Sequence, residues 1–202
     1  MAEKAGSSPF VTSTATATAK NTSTTVKTYR VEAHSWSKPT LEVFDTATNT
    51  LVYTADSHTF RPHIVVQSPS QPGVTISEAT FPSFSSRVEI TYQGRTIVLE
   101  KTGFFRGRHA FTSISGEPLT WKGGVSSLVC LDQKEQKVAS IQTDGWSGRT
   151  KSLDIVSDVG EEVLISALVM FLYERRKSRS RSGAAGAAGS AGAAAGGGAG
   201  GC

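Results

Sequence analysis

The chain has 202 residues, 38% of them hydrophobic and 19% charged, which leaves room for a single domain of about 150 residues with one core. The formal charge is +4, yet residues 1–173 hold 16 Lys+Arg against 16 Asp+Glu, so the whole excess falls in residues 174–202. That distribution excludes a globally basic nucleic-acid-binding surface, and two cysteines, Cys130 and Cys202, exclude a disulfide framework.

Residues 1–25 are Ser, Thr and Ala for the most part and carry no periodicity, so a disordered arm is expected. They contain no apolar stretch of the kind a secretory signal needs. A reducing, cytoplasmic setting is expected, with a membrane-peripheral or nuclear location left open.

From Val26 the pattern changes to short runs rich in β-branched and aromatic residues, divided by Gly, Pro, Asn, Asp and Ser. Twelve such runs follow one another: Val26–His34, Leu41–Phe44, Leu51–Tyr53, His63–Gln67, Val74–Ala79, Arg87–Tyr92, Thr96–Lys101, His109–Ile114, Leu119–Lys122, Leu128–Leu131, Lys137–Gln142 and Lys151–Val156. Gln93-Gly94-Arg95 is the clearest tight hairpin among them. In Val88-Glu89-Ile90-Thr91-Tyr92 one face is apolar and the other mixed, as in a half-buried strand. Cys130 sits in an apolar run and reads as a buried thiol.

The run Val163–Tyr173 is apolar except for Ser166, with Asp158, Glu161 and Glu162 before it and Arg175, Arg176 and Lys177 after it. The order of charges matches a helix dipole, and a helix is expected near 159–176. It is apolar on every face, so it must be surrounded by protein or lipid. Eleven residues rise roughly 16 Å, about half a hydrocarbon core, which favours protein. Regularly spaced strands allow a sandwich or a barrel, but an enclosed helix needs the barrel. The expected fold is all-β with one helix: about twelve antiparallel strands closed around a central C-terminal apolar helix, in one domain over 26–177. Residues 178–202, Arg/Ser and then Gly/Ala, are expected to be a disordered tail.

Twelve strands and one apolar C-terminal helix resemble the tubby C-terminal-like superfamily, which includes LURP-one-related proteins and phospholipid scramblases. The second half is similar to a tubby-like domain family common in mushroom-forming fungi. The likeness rests on Phe111, Gly116, Trp121-Lys122, Val138-Ala139, Leu153 to Ile155 and the helix end Phe171-Leu172-Tyr173-Glu174-Arg175-Arg176. It covers roughly residues 28–177. The resemblance implies a barrel around a helix and a tendency to bind phosphoinositides or act at membranes.

No catalytic constellation stands out, and the chain is not expected to be an enzyme. His34, His58, His63 and His109 lack metal-binding spacing, no C-x-x-C occurs, and no nucleophile elbow or P-loop is present, so neither metal nor cofactor is expected. Two basic stretches are candidate lipid contacts. In the first, Lys101, Arg106 and Arg108 flank Phe104 and Phe105 among glycines, a composition that can hold a phosphate or equally be a solvated strand connection. The second, Arg175, Arg176, Lys177, Arg179 and Arg181, adds about 1 kcal/mol per base near an anionic leaflet. Ser178 and Ser180 lie within it as candidate phosphorylation sites that would cancel its charge. The same run is compatible with a nuclear import signal, an RNA contact or a solvated helix cap. The expected function is a monomeric, non-enzymatic binding module for anionic membrane or phosphoinositide headgroups. The alternatives are a scaffold domain that binds an unidentified protein, and a scramblase-like protein. A nucleic-acid partner is not indicated.

Overall fold

The computed structural model describes residues 25–34, 40–81, 86–103, 107–144, 149–156 and 158–190, with side chains as far as Ser180. The twelve strands are β1 (Val26–Ala33), β2 (Thr40–Asp45), β3 (Thr50–Ser57), β4 (Ile64–Gln67), β5 (Thr75–Thr80), β6 (Val88–Tyr92), β7 (Arg95–Thr102), β8 (Arg108–Thr112), β9 (Pro118–Gly123), β10 (Ser127–Leu131), β11 (Lys137–Asp144) and β12 (Thr150–Val156). Each neighbours its successor antiparallel, and β1 pairs with β12, from Val26↔Val156 to Glu32↔Thr150, which closes the barrel. Closure leaves no unpaired edge.

Every expected run is a strand, and the boundaries move by only a few residues. The hairpin at β6–β7 is tighter than the sequence suggests, because Arg95 pairs with Tyr92 and leaves a two-residue loop. Gln93 (φ 48°) and Gly94 (φ 72°) both take the left-handed conformation that such a loop requires. Gly123 has φ +123°, and a Cβ there would come within 2.1 Å of the Ser127 carbonyl oxygen, so β9 can meet β10 only through glycine.

Strand alternation fills the barrel. Val88, Ile90 and Tyr92 point inward and are buried, as are Leu153 and Ile155 on β12. Through the middle passes helix α1 (Glu161–Ser190), on which every residue from Val163 to Leu172 is at most 3% exposed. Complete burial around a helix means that all its faces are covered, as an all-apolar run demands. Ser166 is the exception that fits: its Oγ accepts the Trp121 indole N–H at 3.0 Å and donates to the Val163 carbonyl at 2.9 Å. The buried Trp121 indole donor thereby finds a partner. Among the described residues no helix is long and apolar enough to cross a membrane.

Both ends of α1 differ from expectation. It begins at Glu161 rather than 159, because Gly160 forms the entry and its carbonyl accepts the Val163 N–H at 3.0 Å. It runs to Ser190, past the expected boundary at 177, so the segment 178–190 is helix and not a disordered tail. No proline follows Pro118, and the Arg and Ala of this stretch favour helix against the cost of Gly183, Gly186 and Gly189. Residues 1–24 and 191–202, including Cys202, lie outside the described residues.

Candidate functional site

A sequential meander gathers alternate connections at opposite ends of the barrel. The links after even-numbered strands share the end where α1 enters, the entry mouth, and those after odd-numbered strands share the end where it leaves, the exit mouth.

At the entry mouth the helix is fastened by its own first turn. The Glu161 carboxylate accepts from the hydroxyls of Tyr53 and Tyr92, the latter at 2.7 Å, and Gln93 Nε2 donates to the Tyr92 oxygen at 2.8 Å. Burial, followed by the hydrogen bond to Glu161, pushes both phenols well above their ordinary range and keeps them protonated as donors. Glu162 accepts the Ile114 backbone N–H at 3.2 Å. Glu161 also borders a recess of about 280 Å³ together with Lys27, Tyr29, Tyr53 and Leu164.

At the exit mouth the chemistry is aromatic and cationic. His63 stacks on Phe81 with ring centres 5.1 Å apart, Phe81 packs on Tyr173 at 5.1 Å, and His109 meets Tyr173 edge-on at 5.5 Å. The Phe81 N–H donates to His63 Nδ1 at 2.9 Å, and burial, with Arg176 and Arg61 adding to it, lowers the His63 pKa. His109 is fully buried, and neither ring nitrogen has a hydrogen-bond partner. Its pKa is pushed down to about 4, by burial first and then by Lys177 and Lys101. Lys177 bonds Glu174 at 3.3 Å, and Arg176 donates to the His58 carbonyl at 3.1 Å.

This geometry separates the candidates found in the sequence. Lys101 lies opposite His109 on the neighbouring strand, so it and Lys177, 76 positions apart in the chain, bear on one imidazole. Arg108 has the other parity. It is exposed on the outer wall opposite Lys122, which bonds Glu135 at 3.0 Å, and Arg108 acts on that same carboxylate. Arg106, Phe104 and Phe105 lie outside the described residues, as does the Arg181 side chain. Ser180 donates to the Lys177 carbonyl at 2.9 Å within the helix.

Arg175, Ser178 and Arg179 instead line a recess of about 130 Å³ at the exit mouth, shared with Arg149, Lys151 and Phe171. Arg175 and Arg179 are one helical turn apart and face the same way. Lys151 is 4% exposed; its Nζ donates to Thr143 Oγ1 at 2.5 Å and stands 4.9 Å from the Phe171 ring centre. Burial lowers its pKa, Arg175 adds to that, and Asp144 opposes it. Arg175 is 7% exposed, and its pKa is likewise lowered by burial and by Arg179.

Sequence reasoning missed Arg149 and Lys151. The signal for Lys151 was parity, since Leu153 and Ile155 point inward and Lys151 shares their face. It also missed Phe60, which is 83% exposed in the link between β3 and β4, beside Arg61 at the exit mouth. A third group arises only from register. Glu32 pairs with Glu42 across β1–β2, and with His34 their ligand atoms lie within 4.8 Å of one another. His34 Nε2 meets Glu42 at 2.6 Å, and Arg30 meets Glu32 at 2.8 Å, so both carboxylates already have partners. Cys130 is buried, and its thiol is pushed up to about 12 by burial, consistent with an inert core residue. No known family, curated protein or solved structure matches this chain.

Proposed function

We propose that the chain is a tubby-like, non-enzymatic binding module that docks its exit mouth on an anionic membrane surface and prefers phosphoinositide headgroups. The observation that carries this reading is the gathering of Arg61, Lys101, Arg176 and Lys177 at one end of the barrel, beside the exposed ring of Phe60. These residues come from three distant parts of the chain. Bases near an anionic leaflet contribute about 1 kcal/mol each, and an exposed aromatic ring supplies the apolar contact that keeps such binding from being purely electrostatic. The resemblance of the helix end and of Trp121-Lys122 to tubby-like proteins supports the same reading. Phosphate on Ser178 or Ser180 would cancel part of the charge and release the protein.

The test is co-sedimentation of the full chain with phosphatidylcholine, phosphatidylserine and phosphoinositide vesicles at two salt concentrations. Binding is expected to rise in that order and to weaken with salt. The triple variant Lys101→Ala/Arg176→Ala/Lys177→Ala is expected to lose at least tenfold, and Phe60→Ala severalfold. Absence of binding to every vesicle at low salt would overturn the reading and favour a protein partner.

A further inference from the structure

We infer that the recess between the start of β12 and the exit end of α1 is a binding site for a phosphate monoester. Lys151 and Arg175 are both nearly buried there; Arg175 weakens the charged form of Lys151, and Arg179 that of Arg175. Burying a cation costs several kcal/mol unless its charge is balanced. What Lys151 is given is a hydroxyl, Thr143 Oγ1, and an aromatic face, Phe171, with only the field of Asp144 on the favourable side. Arg149 and Arg179 bring two more guanidinium groups to the same space, and no carboxylate lines it among the described residues. The Ser178 hydroxyl adds a neutral donor.

Size and charge select the ligand. A recess of about 130 Å³ has room for one phosphate group. A monoester carries nearly two negative charges at neutral pH and offers three terminal oxygens, whereas a diester carries one charge and two. Planar guanidinium forks match paired phosphate oxygens, and the ammonium acts as a point charge. The helix does not oppose the anion, because α1 continues to Ser190 and its unpaired carbonyls are not at the recess. The monoester can belong to a lipid headgroup or to a soluble molecule; only in the first case does the inference rest on the membrane reading.

The experiment has two arms on the full chain. In the first, inorganic phosphate is titrated calorimetrically at constant ionic strength set with chloride, against wild type, Lys151→Met and Arg149→Gln. Methionine keeps the packing on Phe171 while removing the charge. Wild type is expected to bind and to melt at higher temperature with phosphate, and each variant to lose at least tenfold in affinity. In the second, vesicles of phosphatidic acid, a monoester, are compared with phosphatidylglycerol, a diester, at matched charge. Wild type is expected to prefer phosphatidic acid, and Lys151→Met to lose the preference while still binding phosphatidylglycerol through Lys101, Arg176 and Lys177. If wild type ignores phosphate, the inference is overturned, and vesicle binding alone would leave the membrane reading standing. Phosphate binding without vesicle binding would support the recess and remove the membrane reading. Should Lys151→Met not fold, unchanged phosphate affinity in Arg149→Gln overturns the inference by itself.

Discussion

The two mouths of the barrel solve opposite problems with the same helix. At the entry mouth each carboxylate of the first helical turn is held by neutral donors: Glu161 by two tyrosine hydroxyls, Glu162 by the Ile114 N–H. Positive helix end, negative side chains and protonated phenols all agree in sign, so this end is electrostatically settled. At the exit mouth Lys151 and Arg175 are both buried at one recess, and Lys177 and Lys101 both act on the buried His109 imidazole. One mouth fastens the helix through its acidic first turn, and the other gathers cationic side chains around the helix exit.

The largest effect removes the contrast by removing the barrel. Leu168 is fully buried midway along the run Val163–Leu172, and Leu168→Asp is expected to leave no cooperative unfolding transition in urea, since an unpaired buried carboxylate costs several kcal/mol. A soluble variant with a sharp transition would refute the central placement of the helix.

The next effect is confined to the exit mouth. Because the folded pKa of His109 is about 4 against an ordinary 6.5, the unfolded chain binds the proton more readily between these values. Its contribution to stability is therefore complete above about pH 6.5 and is lost as pH falls toward 4, by about 2 kcal/mol at pH 5. His63 is lowered too and acts in the same direction. Urea midpoints for wild type and His109→Leu at pH 7.5 and 5 are expected to show a shallower pH dependence in the variant. Equal slopes would mean that the imidazole is not held neutral by the mouth.

How much of this was legible depends on how far apart the deciding residues lie in the chain. Strands show themselves locally, through alternation and turn residues, and Val88 to Tyr92 needed nothing else. The helix was equally plain, because apolar residues on every face of Val163–Tyr173 require an enclosure. Its far end was not, since Gly/Ala composition suggests a flexible tail while the propensity of Arg and Ala continues the helix to Ser190. Within the site, the basic run after the helix was visible as a run, but its sorting was not: Arg175 turns into a recess with Lys151, while Arg176 reaches the His58 carbonyl. Arg108 looked equivalent to Lys101, yet strand parity sends it to the outer wall. The tyrosine clamp and the Glu32, His34 and Glu42 group depend on register and barrel closure, which no local spacing reveals.

The smallest effect sharpens the contrast at the entry mouth. Tyr92→Phe removes one donor from Glu161 and leaves Tyr53 in place, so the carboxylate keeps half of its support. A hydrogen bond to a charged group contributes roughly 1.5–3 kcal/mol, and partial access to water at the entry recess should bring the loss to about 1 kcal/mol. Because Tyr92 lies at the mouth opposite the recess of Lys151, the same variant is expected to leave phosphate affinity unchanged. Calorimetry and urea unfolding on one preparation check both halves. A Tyr92→Phe protein that lost phosphate binding would show that the two ends communicate through α1, and the division between a fastening mouth and a binding mouth would fail.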